Sequence, residues 1–203
     1  MGCPGAGKGT QSARLKETWH LKHISTGDML RAEMAAGTEL GKQVAALINQ
    51  GNLVPDELMI AMLQKVVSVA EQGIILDGFP RTVAQAQALD DMMQRLGRQL
   101  SAVIMIDLPQ EEVIKRLSTR RMCKKCGKPA ATAMQTACEC GGELYVRKDD
   151  APESVKHRLE VYRAQTLPVK AYYETSGKYV EINGNQTPDQ VFKDICSVLE
   201  KIK

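Results

Sequence analysis

The sequence predicts an α/β protein, a parallel sheet flanked by helices with a glycine-rich loop opening its first helix. Three observations carry this expectation. Short apolar runs alternate with amphipathic helical stretches. A string of glycines ending in a lysine stands directly before helix-forming residues. Two segments, 25–54 and 119–150, break the alternation and read as insertions into one core.

Taken in order, Gly73-Ile74-Ile75-Leu76-Asp77-Gly78 reads as a buried strand between glycine stops. Ala102 to Asp107 reads as a second strand and Lys178 to Ile182 as a third. Pro55 opens a helix that Gly73 ends, following the preference for proline at the start and glycine past the end. Thr82 to Leu96, Glu111 to Arg121, Pro152 to Ser176 and Pro188 to Ile202 are the further predicted helices. The 25–54 segment is mostly helical and begins with Ser25-Thr26-Gly27-Asp28, whose Ser-x-x-Asp spacing resembles a capping box. Residues 119–150 lose periodicity and need a cross-link to hold a fold.

Composition excludes several classes. Apolar residues make up 43% and charged residues 25%, an ordinary globular balance. A net charge of +3, spread along the chain, argues against a binder of nucleic acid that works through a basic field. No apolar run is long enough for a membrane span, and no basic segment leads into an apolar signal region. Of the six cysteines, Cys123, Cys126, Cys138 and Cys140 cluster while Cys3 and Cys196 stand alone. Clustering in a chain without a visible signal fits a cytosolic metal site better than a secreted disulfide scaffold.

Gly2-Cys3-Pro4-Gly5-Ala6-Gly7-Lys8-Gly9-Thr10 matches the G-x-x-x-x-G-K core of a P-loop. Glycines let successive backbone N–H groups turn toward one anion, and the helix that follows adds its positive end. Lys8 can reach β- and γ-phosphates, and the Thr10 hydroxyl can stand near Mg²⁺. Gly9 follows the lysine where the general motif has Ser or Thr, so the hydroxyl comes one residue later. The string G-x-P-G-x-G-K-G-T resembles the version found in nucleoside monophosphate kinases. With Ser25-Thr26-Gly27-Asp28-Met29-Leu30-Arg31 and Leu76-Asp77-Gly78-Phe79-Pro80-Arg81-Thr82, nearly the whole chain resembles the adenylate kinase family in its long-lid form.

That resemblance implies a P-loop core over 1–24, 55–118 and 151–203, a monophosphate-binding insertion over 25–54 and a lid over 119–150. It also implies apolar residues ahead of Gly2, where only Met1 stands. The first central strand is therefore expected to be missing, as from a truncated N-terminus, leaving neighbouring strands with unpaired backbone groups.

By resemblance, ATP is held by Gly5, Gly7, Lys8, Gly9, Thr10, Arg116, Arg120 and Gln186. The acceptor AMP falls to Thr26, Arg31, Asn52, Leu53, Val54, Gly78, Phe79, Pro80, Arg81, Gln85, Arg147 and Arg158. Threonine after Arg81 points to AMP, since pyrimidine-accepting relatives tend to carry asparagine there. Asp77 ends an apolar strand and places a carboxylate where Mg²⁺ and its waters need one. Arg81 supplies a planar fork for a phosphate, and Gln85 offers the donor and acceptor an adenine edge requires. Arg116 and Arg120 sit four apart and are expected to share a helix face.

The chemistry explains the arginines. An acceptor monophosphate is already an oxyanion near neutral pH, so no general base has to remove a proton. The protein must instead hold two repelling anions in line and stabilise charge on the transferring group. Lys8, Asp77, Arg81, Arg120, Arg147 and Arg158 are the predicted catalytic set. His20, His23 and His157 are expected to be solvent-facing or structural.

Cys123-Lys124-Lys125-Cys126-Gly127 resembles half of a zinc knuckle. The second half is irregular. Zinc-bearing lids of the family finish C-x2-C or C-x2-D before Gly-Gly, whereas Cys138-Glu139-Cys140-Gly141-Gly142 gives C-x-C, with Ala137 at the usual ligand position. Cys138 must then reach the metal with a shifted backbone or be replaced by another group, Glu139 among them. Four ligands would make the zinc structural. Pro129 to Ala133 lacks the larger residues often found beside the base in this lid, which implies weaker adenine stacking.

The expected function is reversible Mg-dependent transfer from ATP to AMP, giving two ADP, by a cytoplasmic monomer without nucleic-acid or membrane partners. The alternatives are a kinase for another nucleoside monophosphate, or a non-catalytic nucleotide-binding or RNA-binding zinc protein. The cysteine region has only Tyr145 nearby for base stacking, which disfavours RNA.

Overall fold

The computed structural model describes residues 1–132 and 134–202. Ala133, the last residue of the stretch read as poor in base-stacking groups, lies outside the described residues.

The glycine loop leads into α1 (Lys8–Trp19), which ends at His20 in a left-handed conformation. β1 (Lys22–Ser25) follows and pairs in parallel with β2 (Ile74–Asp77), Ile24 opposite Leu76 and Ser25 opposite Asp77. β1 is not among the strands the sequence predicts. Its four residues carry one fully buried aliphatic, Ile24, too short a pattern to show a period.

Residues 26–50 form two helices, α2 (Thr26–Ala35) and α3 (Glu39–Gln50), packed on one another. The Ser25 hydroxyl caps α2 by accepting from the Asp28 N–H at 3.3 Å, the forward half of the predicted box. The Thr38 hydroxyl does the same for α3, accepting from Gly41 N–H at 2.9 Å. α4 (Asp56–Val67) starts after Pro55 as expected but stops well before Gly73. α5 (Val83–Arg95) is capped by Thr82.

β3 (Val103–Asp107) pairs in parallel with β6 (Tyr179–Asn183), and α6 (Gln110–Ser118) follows β3. The predicted helix 111–121 therefore ends early: the Thr119 hydroxyl turns back to the Lys115 carbonyl, and Arg120 lies beyond the last turn. β4 (Met122–Cys123) and β5 (Leu144–Tyr145) form a small antiparallel pair at the ends of the cysteine segment. The single helix expected over 152–176 is broken. It comprises α7 (Pro152–Val161), a π-helical turn Tyr162–Thr166 and α8 (Val169–Glu174). Pro168 has no N–H to donate, and Leu167 N–H reaches back five residues to the Tyr162 carbonyl at 2.8 Å. α9 (Pro188–Glu200) closes the chain on the α1 side.

The parallel sheet is present as two pairs, β1–β2 and β3–β6. Met1 and Gly2 lie along β3. The Met1 amino group donates to Ile104 O at 2.5 Å, Ile106 N–H donates to Met1 O at 3.0 Å, and Gly2 forms a parallel bridge with Ile106. These contacts satisfy part of the backbone deficit expected there. Burial pushes the Met1 amino group down to about 5.

One hydrophobic cluster gathers Leu15, Ile106, Val113, Leu117, Leu159, Ile182 and Ile195 around β3 and β6. A second joins Leu30 and Val44 of the helical insertion to Ile24, Leu63, Val67, Phe79 and Leu89. Each fully buried aliphatic contributes about 1.5–3 kcal/mol. The insertion is thus welded to β1, β2, α4 and α5 by shared apolar surface.

Candidate active site

The loop before α1 closes around the Lys8 side chain. Its ammonium donates to the carbonyls of Gly2 at 2.9 Å and Cys3 at 2.8 Å. Gly7 enters the helix at φ 89°, a conformation other residues rarely hold, and offers no side-chain cap. The first N–H groups of α1 are left for an anion in the cleft. Burial pulls Lys8 down to about 8, with the Asp77 carboxylate opposing the change.

Asp77 stands at the C-terminal end of β2, and its Oδ2 lies 3.3 Å from His23 Nε2 on β1. Burial alone would raise this carboxyl, but His23 and Lys8 more than offset it and hold it below the usual carboxylate range. His23, expected to be solvent-facing or structural, forms part of the cleft wall. His20 is exposed, and His157 Nε2 sits 2.7 Å from Asn52 Oδ1.

Five arginines, Arg31, Arg81, Arg120, Arg147 and Arg158, line the same cleft as the loop. The Arg81 Nε–H donates to Gly78 O at 2.8 Å, and burial, with Arg158 and Arg31 nearby, pulls its guanidinium down to about 10. Burial likewise lowers Arg147, with Arg31 and Arg120 adding to the effect, and lowers Arg158. Arg147 Nε is buried with no hydrogen-bond partner among the described residues. Partial compensation comes from Asp28 to Arg31, from Asp149 and Asp150 to Arg158, and from Asp150 to Arg120. Partly desolvated cations packed against each other are costly without an anion among them.

On the insertion side, the Thr26 hydroxyl is buried and donates to Gly78 O at 3.0 Å. Gln85 is 2% exposed and held by Asp56 and the Arg81 N–H. On the other side, Arg116 donates to Glu112 and to Gly184 O, and Gln186 donates to Asn183 O and Asp194. Arg116 and Arg120 do not share a helix face, because α6 ends between them.

One cleft of about 1100 Å³ runs between these groups. Gly5, Gly7, Lys8, Gly9 and Thr10 line it with Arg116, Arg120 and Gln186. So do Thr26, Arg31, Asn52, Leu53, Val54, Asp77, Gly78, Phe79, Arg81, Gln85, Arg147 and Arg158. Pro80 faces a smaller adjoining cavity instead, with Lys8, Arg81 and Arg158. Its peptide bond with Phe79 is cis. The volume slightly exceeds the 300–1,000 Å³ usual for one small ligand. Asp56, Asp149 and Asp150, the carboxylates that steer the cations and the amide, are absent from the residues predicted by sequence. Their only local signal is an acidic residue beside a proline or at the end of the cysteine segment.

In the cysteine segment, the Sγ atoms of Cys123, Cys126, Cys138 and Cys140 all lie within 4.8 Å of one another. Cys123 and Cys140 are 3.5 Å apart, as are Cys126 and Cys138. Tetrahedral Zn–S bonds of ~2.3 Å imply sulfur separations of about 3.8 Å, so the set fits zinc. Cys138 completes the group, and Glu139 is not in it. The backbone N–H groups of Cys126 and Lys125 point at Cys123 Sγ and hold its thiol below the usual cysteine range. Gly142 makes the approach feasible: a Cβ there would lie 2.4 Å from Cys123 Sγ.

A glycine loop, a carboxylate at a strand end and an arginine cluster across one cleft define a phosphate-binding α/β protein of the P-loop class. Residues 1–178 match the family model described as adenylate kinase, and the chain belongs to that family. It is 45% identical to the adenylate kinase of Thermodesulfovibrio yellowstonii over 209 residues, covering 99% of this chain and 97% of that one. It is also 45% identical to the adenylate kinase of Archaeoglobus fulgidus, over 100% and 97% of the two chains. The adenylate kinase of Carboxydothermus hydrogenoformans is 44% identical, over 99% and 98%.

Proposed function

We propose that this chain catalyses reversible phosphoryl transfer from ATP to AMP, giving two ADP. The observation that carries the reading is the partly buried arginine cluster lining, with the Lys8 loop, one cleft large enough for two nucleotides. No proton has to be abstracted from a monophosphate oxyanion. Lys8 and the N-terminus of α1 hold the donor's phosphates, with Arg116 and Arg120 on their flank. Arg81, Arg147 and Arg158 draw the acceptor phosphate in line and stabilise charge on the transferring group. The unpartnered Arg147 Nε supports a phosphate at that position. Arg31 shares the acceptor phosphate, and Gln85 reads the base beside Asn52, Leu53 and Val54.

Mg²⁺ fits this site. Asp77 is held ionised, and its Oδ2 lies 3.5 Å from where a Cβ on Gly9 would stand, so it faces the Lys8 loop. The ion would neutralise triphosphate charge there. The four thiolates fit one structural Zn²⁺ that ties the lid together. Among the described residues no helix is long and apolar enough to cross a membrane. All six cysteines are free, which suits the reducing cytoplasm. One chain supplies the loop, the carboxylate and the arginines of the cleft, so the working unit is read as a monomer.

A coupled assay for ADP formation from ATP with AMP, UMP, CMP or GMP tests the reading. AMP is expected to be the best acceptor. Nucleotide binding with no acceptor turnover would sink the enzyme assignment.

A further inference from the structure

We infer that Asp56 is a positioning residue for base selection: it fixes the orientation of the Gln85 amide and so makes the acceptor site read adenine rather than a 6-oxopurine. The inference rests on the proposed function and extends it to a residue that never meets the nucleotide directly.

Asp56 opens α4, and its two carboxylate oxygens are both engaged. Oδ1 accepts from Gln85 Nε2 at 2.7 Å, and Oδ2 accepts from the Thr82 hydroxyl at 2.8 Å. Thr82 Oγ1 accepts in turn from the Gln85 backbone N–H at 3.1 Å, tying the start of α5 to the start of α4. On the other end of the amide, Gln85 Oε1 accepts from the Arg81 N–H at 2.8 Å. An ionised carboxylate can only accept and a backbone N–H can only donate. The amide is therefore locked with nitrogen toward Asp56 and oxygen toward Arg81. Each end has one capacity left, a single N–H and a single lone pair, on a residue that lines the acceptor side of the cleft.

Along its N1/N6 edge adenine presents a ring nitrogen acceptor beside an exocyclic amine donor, a pattern a glutamine amide matches with two hydrogen bonds. Hypoxanthine and guanine place a ring N–H beside a carbonyl, the same edge with reversed polarity. A base seated in the same position could be read only by a flipped amide. Asp56 and the Arg81 N–H both oppose that flip, since it would set oxygen against carboxylate and N–H against N–H.

The test compares AMP with inosine monophosphate, which differs from AMP only in this donor–acceptor pair, in wild type, Asp56→Ala and Asp56→Asn. Wild type is expected to prefer AMP strongly. Asp56→Ala should raise the AMP KM and reduce the AMP-to-inosine-monophosphate ratio of kcat/KM by about tenfold or more. The KM for ATP should stay within about twofold. Asp56→Asn keeps an oxygen for Gln85 and should retain most of the selectivity. A merely structural role would lower melting temperature without moving the ratio. An unchanged ratio in folded Asp56→Ala overturns the inference while leaving the kinase reading intact. Absence of AMP turnover in wild type would defeat the kinase reading itself.

Discussion

Arg120 and Asp150 meet in a two-point ion pair across the base of the cysteine segment. Nε–H donates to Oδ2 at 2.8 Å and Nη2–H to Oδ1 at 2.5 Å, and the Asp150 side chain is 0% exposed. Arg158 joins the same carboxylate from α7 at 3.1 Å. One buried anion thus gathers two of the cations assigned to phosphate and closes the two ends of the segment on each other. Removing it leaves both guanidinium groups without that partner. Asp150→Ala should cost about 3–5 kcal/mol, a drop in Tm of at least about 6 °C. A Tm within about 2 °C of the parent would show that the pair is not stabilising.

Arg81 is partly buried in the wall of the cleft, and its backbone also restrains Gln85. If it carries charge stabilisation for the transferring group, Arg81→Ala should lose roughly 10³–10⁵-fold in turnover at saturating nucleotides while the chain stays folded. Turnover within about tenfold of the parent contradicts the role.

Lys8 has a folded-state value near 8, below the ordinary 10.5 of a lysine. Between those values the unfolded chain binds more protons than the folded one, so this group makes stability rise as pH rises from about 8 to about 10.5. Binding runs the other way, because triphosphate favours the charged lysine. ATP affinity of the free enzyme should fall above about pH 8, approaching about tenfold per unit. Titration calorimetry from about pH 7 to about 9.5 checks this, and Lys8→Met should flatten the slope. A wild-type affinity independent of pH over that range would rule out the proposed contact.

Metal analysis after reducing, EDTA-free purification should find one zinc per chain. Well under one rejects the site. Gly142→Ala places a methyl 2.4 Å from Cys123 Sγ and should lower zinc retention and the stability of the cysteine segment together. Full zinc occupancy in that variant would mean the cluster closes differently from the geometry described.

Much of the site is legible in the amino-acid sequence. The glycine string, Asp77, Arg81 and the four cysteines are recognisable because the chemistry that needs them is local: neighbours in the chain are neighbours in space. Strands β2 and β3 are legible as apolar runs, and β6 as a short β-rich stretch, Tyr179, Val180 and Ile182, that Glu181 interrupts. β1 is not, because a four-residue strand shows too little pattern. The helix breaks at Thr119 and ahead of Pro168 are also hidden, since hydrogen-bond register and tertiary packing decide where such helices stop. The irregular C-x-C spacing leaves Cys138 and Glu139 open as alternatives, and only the folded backbone brings Cys138 into the sulfur group.

Residue type and short spacing are enough to specify the phosphate loop, the inventory of cations and the presence of a thiolate cluster. They are not enough to pair Asp150 with Arg120, His23 with Asp77 or Asp56 with Gln85, partners separated by 30, 54 and 29 positions. Such contacts depend on which strands and helices pack side by side, and that is settled by burial of apolar surface distributed over the whole chain.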